Sequence, residues 1–115
     1  MKIKEPIAIL ENEFGSVAFQ EQVFTSLVKE SMNENDQVLH IELNQLFGSQ
    51  RGQKIKIAAG EAADEVSLNV SVKLRGPVHV MEVGREIQER LITELEHCLG
   101  VKVTEIILKI EDIVY

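Results

Sequence analysis

In the stretch Val66, Leu68, Val70, Val72 and Leu74 every second residue is apolar, with Ser67, Asn69, Ser71 and Lys73 between them. A period of two is the pattern of a strand with one buried face. Arg75-Gly76-Pro77 ends it, because Pro77 has no N–H for a ladder and Gly76 accepts turn dihedrals. From Val80 the period lengthens. Val80, Val83, Ile87, Leu91, Leu95, Cys98 and Leu99 recur at three- and four-residue steps, which predicts a helix with one apolar stripe. Gly100 suits the position just past that helix, where a left-handed residue closes the last turn. The final run returns to alternation, with Ile106, Leu108 and Ile110 on one side and Lys109 and Glu111 on the other. The pattern predicts a strand–helix–strand unit on which the remaining chain should pack.

Upstream the signals are shorter. Ile7–Leu10 is a brief apolar run limited by Pro6 to an edge strand or lead-in. A turn at Asn12-Glu13-Phe14-Gly15, followed by Val17 and Phe19 alternating with small and polar residues, fits a short hairpin. Val23, Phe24, Leu27, Val28 and Ser31 share one face of a predicted helix over Glu21–Met32, which Asn33–Asp36 terminates. A strand is expected over Gln37–Leu43, with Leu39, Ile41 and Leu43 facing one way and Val38, His40 and Glu42 the other. Asn44–Gly52 reads as a polar loop carrying the apolar pair Leu46-Phe47, and Lys54–Ala59 as a further strand. The order is roughly β(β)–α–β–β–β–α–β. Two helices that each need one covered face predict an α+β fold, a mostly antiparallel or mixed sheet with both helices on one face.

At 115 residues the chain is expected to be a single domain, residues 1–115. Its four Phe, one Tyr and no Trp leave the core to Val, Ile and Leu. A net charge of −7 opposes binding to nucleic acid or to an anionic membrane surface, both of which need concentrated Lys and Arg. No apolar run reaches the roughly 20 residues of a membrane helix. The lone Cys98 has no intramolecular disulfide partner and fits a reducing compartment.

Catalytic chemistry finds little purchase. His40, His79, His97 and Cys98 show no C-x₂-C or H-E-x-x-H spacing, and the adjacent His97 and Cys98 point about 100° apart on a helix. No metal or cofactor is expected, and Cys98 is expected to pack under the apolar stripe with His97 exposed. Gly48–Lys54 lacks the spacing, the Lys-Ser/Thr and the following helix of a phosphate loop. Glu82, Glu86, Glu89, Glu94 and Glu96 lie off the stripe, and Glu86–Arg90, Arg85–Glu89 and Arg90–Glu94 are spaced as i,i+4 pairs on a solvated face. The expectation is a non-enzymatic chain.

What remains are apolar residues outside the stripe: Ile92, Leu46-Phe47 in their loop, and Ile113-Val114-Tyr115 at the end. Such residues mark either a partner surface or a second sheet face covered by the N-terminal arm. The first reading makes Leu46, Phe47, Ile113, Val114 and Tyr115 the candidate interaction surface.

Longer motifs add a resemblance. Val78-His79-Val80-Met81-Glu82-Val83-Gly84-Arg85-Glu86-Ile87-Gln88 matches a V-x-[IV]-x-E-V-[AG]-x-x-[IV]-Q helix start. Gly100-Val101-Lys102-Val103 and the closing run Ile106–Ile113, with Asp112-Ile113 at its end, follow at the expected places. Gly15–Phe19 with Val23-Phe24 and Leu27-Val28 resembles the matching N-terminal strand and helix. In these features the chain resembles the alkaline shock protein, or envelope stress response, family of Gram-positive bacteria. It departs in Ser31-Met32 late in the first helix, in having no Gly-Val pair soon after it, and in the Asn44–Gly52 loop. The resemblance implies a non-enzymatic module that self-associates or docks a protein partner, including a membrane-anchored family member, at the cytoplasmic face of the membrane. It also admits that this chain is the soluble part of a membrane-anchor relative. A small regulatory or ligand-binding module is the alternative.

Overall fold

A computed structural model describes residues 5–39 and 55–115. Among the described residues, five strands and two helices follow in the order β1 (Ala8–Asn12), β2 (Gly15–Phe19), α1 (Glu21–Asn33), β3 (Ile55–Ala59), β4 (Glu65–Arg75), α2 (Val80–Leu99) and β5 (Lys102–Val114). This is the expected α+β fold. Strands β1 and β2 form an antiparallel hairpin, and β3–β4–β5 a separate mixed sheet. The sheet is centred on β4, which pairs antiparallel with β3 and parallel with β5. The parallel pairing follows from connectivity: strands joined through a long helix can lie side by side in the same direction, whereas a short turn reverses the chain.

The core lies between this sheet and the two helices. Val66, Leu68, Val70, Val72 and Leu74 of β4 are all buried, as the alternation requires. Above them sit Phe24 and Val28 of α1 and Val83, Ile87, Leu91 and Leu95 of α2. Gly100 closes α2 with φ 75°, and its N–H donates to the Glu96 carbonyl. Ile92, off the main stripe, is half-buried against the same core rather than free on the surface.

The predicted strand over Gln37–Leu43 is described only at its start. The Arg75 N–H donates to the Gln37 carbonyl at 2.8 Å and the Leu39 N–H to the Lys73 carbonyl at 2.9 Å, which sets Val38 opposite Leu74. Since β5 already occupies one side of β4 along its whole length, this segment continues the β3 edge. Val38 is buried at 1% exposure while Leu39 is half-buried. The inward residue is therefore Val38, because directly opposed residues share a face and Leu74 faces the helices. The remainder of that strand, and the Leu46-Phe47 loop, lie outside the described residues.

The hairpin stacks on one end of the layer. The Ile9 N–H donates to the Ala63 carbonyl at 2.9 Å, Ala8 is buried, and Phe19 meets Phe24 edge-on at 6.1 Å between ring centroids. It covers the end of the core near the β3–β4 turn. The other sheet face, with Lys56, Ser67, Asn69, Glu105 and Ile107, forms a shallow open hollow.

Candidate interaction surface

Strand β5 is an edge strand: among the described residues no segment pairs with its outer side over the 13 residues Lys102–Val114. Its side chains divide by face. Ile106, Leu108, Ile110 and Ile113 stand opposite Leu68, Val70, Val72 and Leu74 and face the helices. Lys102, Glu105, Ile107, Lys109 and Asp112 stand opposite Glu65, Ser67, Asn69, Ser71 and Lys73 on the open face. Ile107 is 44% exposed there, an apolar side chain amid charged neighbours.

Helix α2 overhangs this edge. Val80, Met81, Gly84, Arg85 and Gln88 line a groove with Leu108 and Ile110 of β5. Gly84 faces Leu108, and a Cβ there would stand 3.7 Å from Leu108 Cδ2, an ordinary packing distance. Gln88 reaches down from the helix and donates through Nε2 to the Ile106 carbonyl at 3.0 Å. The Ile106 carbonyl therefore takes a side-chain donor rather than a neighbouring strand. Met81 beside the groove is 86% exposed.

The chain end is held in place. The Gly76 N–H donates to the Val114 carbonyl at 2.8 Å, and a Cβ on Gly76 would come within 2.7 Å of the Tyr115 ring and 2.8 Å of Ile113 Cγ2. The predicted surface residues thus divide three ways. Leu46 and Phe47 lie outside the described residues. Ile113 is half-buried against the Gly76 turn. Val114 and Tyr115 are exposed, with the tyrosine ring leaning on that turn.

A family model of the alkaline shock proteins, described as having a cell envelope-related function, matches residues 10–115. The chain belongs to this family. No curated protein and no solved structure matched the sequence. The family span begins inside β1 and takes in every later element, so the hairpin, both helices and the β5 edge all belong to the alkaline shock protein domain.

In this alkaline shock protein chain the outer face of α2 is charged and wet. Arg85 pairs with Glu89 at 2.7 Å and Arg90 with Glu94 at 2.9 Å. The expected Glu86–Arg90 pair does not form. Arg90 turns instead to Glu34 at the end of α1, tying the two helices together. The Glu94 hydrogen bond lifts the Arg90 pKa above its ordinary value and outweighs the opposing desolvation, with the Glu94 charge and then Glu34 adding lesser pushes upward. Cys98 corrects another expectation: it is exposed rather than packed under the stripe. It lies in the last turn of α2, where Leu99 rather than Cys98 packs against the core. Among the described residues no group of three His, Cys, Asp or Glu side chains is placed to hold a metal ion, and no helix is long and apolar enough to cross a membrane.

Proposed function

We propose that the chain is a non-enzymatic structural and interaction module of the cell envelope stress response. It self-associates, or docks a membrane-proximal protein partner, at the cytoplasmic face of the membrane, without cofactor and without binding nucleic acid. The observation that carries this reading is the unpaired β5 edge in a family of cell envelope-related function. An open strand edge offers main-chain donors and acceptors that a neighbouring strand can satisfy. Light scattering after size exclusion, across a range of concentrations, is expected to show a mass above that of one chain. A pull-down from native membranes is expected to retain a protein partner or further copies. A single-chain mass throughout, together with an empty pull-down, overturns the reading.

The hollow on the open sheet face favours a second reading, a small regulatory or ligand-binding module. Lys56, Ser67, Asn69 and Glu105 place a cation, a carboxylate and two neutral polar groups around it. Its openness argues for weak binding, since ligand sites bury most of what they hold.

A further inference from the structure

The charges on the open face of β5 form a pattern that is complementary to itself. Taken in order they are Lys102, Glu105, Lys109 and Asp112, with Ile107 at the centre. Among the described residues none of the four takes part in an ion pair. When a second β5 is laid antiparallel along the outer edge with Ile107 opposite the partner's Ile107, Glu105 falls opposite the partner's Lys109. In the same register Lys102 falls opposite the partner's Asp112. Twofold symmetry repeats both pairs, so four opposite-charge pairs flank one apolar pair. Shifting the centre to Leu108 sets Glu105 against the partner's Glu111 and loses the match.

We infer that the outer edge of β5 is a homotypic pairing edge, on which a second copy of this chain docks antiparallel about a twofold axis through Ile107. The inference rests on the self-association reading above and names its surface. The two β3–β4–β5 sheets become one, with α1 and α2 of both copies on the same side. Across the joint the charges alternate: Glu65, Lys102, the partner's Asp112, the partner's Lys73.

The backbone fits this register. Register shifts against β4 leave Thr104 and Glu111 as the extra residues of β5, and the stretch between them is regular. Passing from the Glu105 pair to the Lys102 pair crosses Thr104 on one strand and the partner's Glu111 on the other. The two irregularities compensate, and the register survives. Gln88 uses one lone pair of the Ile106 carbonyl and leaves the other for the N–H of the partner's Leu108. Leu108 and Ile110, half-buried under the α2 overhang, gain cover from the partner's edge.

Charge exchange tests the pairing. Glu105→Lys alone sets lysine against lysine, and Lys109→Glu alone sets glutamate against glutamate. Each variant is expected to raise the dimer dissociation constant about tenfold or more, as like charges replace two favourable cross-strand pairs. Mixing the two variants restores both pairs, so the mixture is expected to associate as tightly as the wild type by sedimentation equilibrium. Both positions are exposed, and circular dichroism checks that each variant is folded. Should either fail to fold, Lys102→Glu and Asp112→Lys repeat the test one step outward. A wild type that associates while both variants associate equally well, or a mixture no tighter than either variant alone, overturns the edge assignment and leaves self-association standing. A wild type that stays a single chain overturns both.

Discussion

The β4–α2–β5 unit and the β1–β2 hairpin are both written in alternating sequence, yet their fates differ. Every second residue of β4 is buried, and Ser71 on its other face is as well. In the hairpin, Ile9 and Val17 remain over a third exposed and Phe14 is 91% exposed. Alternation sets which residues share a face, but only an opposing layer buries that face. Strand β4 has two neighbours and a helical layer; the hairpin has only its own two strands and the end of the core. Stability should therefore be concentrated in the first region, and the hairpin should add little beyond its anchors Ala8, Leu10 and Phe19.

The sharpest way to break that contrast is to cut into α2. Leu91 is 1% exposed in the middle of the stripe. Leu91→Ala removes a packed side chain and leaves a cavity, so unfolding in denaturant should show a loss of about 2–5 kcal/mol. A midpoint unchanged within error would place Leu91 off the buried face and undo the layer described above.

How much of this was readable in advance depended on the partner layer. The stripe through Val83, Ile87, Leu91 and Leu95 was legible because its period is long and unbroken. The same stripe named both Cys98 and Leu99 as core, since periodicity does not say which of two adjacent residues at a stripe's end turns inward; Leu99 packs and Cys98 is exposed. Val38 and Leu39 show the converse. An isolated short strand has no internal mark of its inner face, and the opposition of Val38 to Leu74 supplied it. On β5 the apolar terminal residues stand out in the sequence, whereas Lys102, Glu105, Lys109 and Asp112 fall on one face only once pairing with β4 is known.

The second perturbation acts where the two regions touch. Gly100 sits at φ 75°, and a Cβ there would stand 2.9 Å from Leu10 Cδ2 of the hairpin. Gly100→Ala meets both a left-handed backbone and that methyl, and is expected to cost about 1–2 kcal/mol. Pairing it with Leu10→Ala separates the causes. If the smaller residue recovers part of the loss, the hairpin contact contributes; if nothing is recovered, the backbone carries it all.

A smaller effect is expected from the tie between the helices. Arg90 and Glu34 are each about half exposed, and ion pairs open to solvent are screened and entropically costly to hold. Arg90→Ala and Glu34→Ala should each lower the melting temperature only slightly at low salt, and the coupling between them should vanish at high salt. A coupling that persists at high salt would show the helices held by this pair rather than by Phe24, Val28 and their apolar neighbours.

The smallest effect belongs to the hairpin tip. The turn there is set locally: the Phe14 N–H donates to Asn12 Oδ1 at 2.8 Å, and Gly15 adopts φ 133°, a value that L side chains rarely take. The Phe14 ring adds nothing to that geometry and lies almost wholly in water. Phe14→Ser should therefore change stability by no more than about 0.5 kcal/mol, as surface replacements away from special features do. Comparing dilute with concentrated protein gives the experiment its force. Neutrality at every concentration leaves the tip a bystander and the proposal for β5 standing. A loss that appears only at high concentration would mean the ring is buried between copies, moving the interface from the sheet edge to the hairpin. That result would also reverse the comparison, because the region that contributes least to the single chain would contribute most to the assembly.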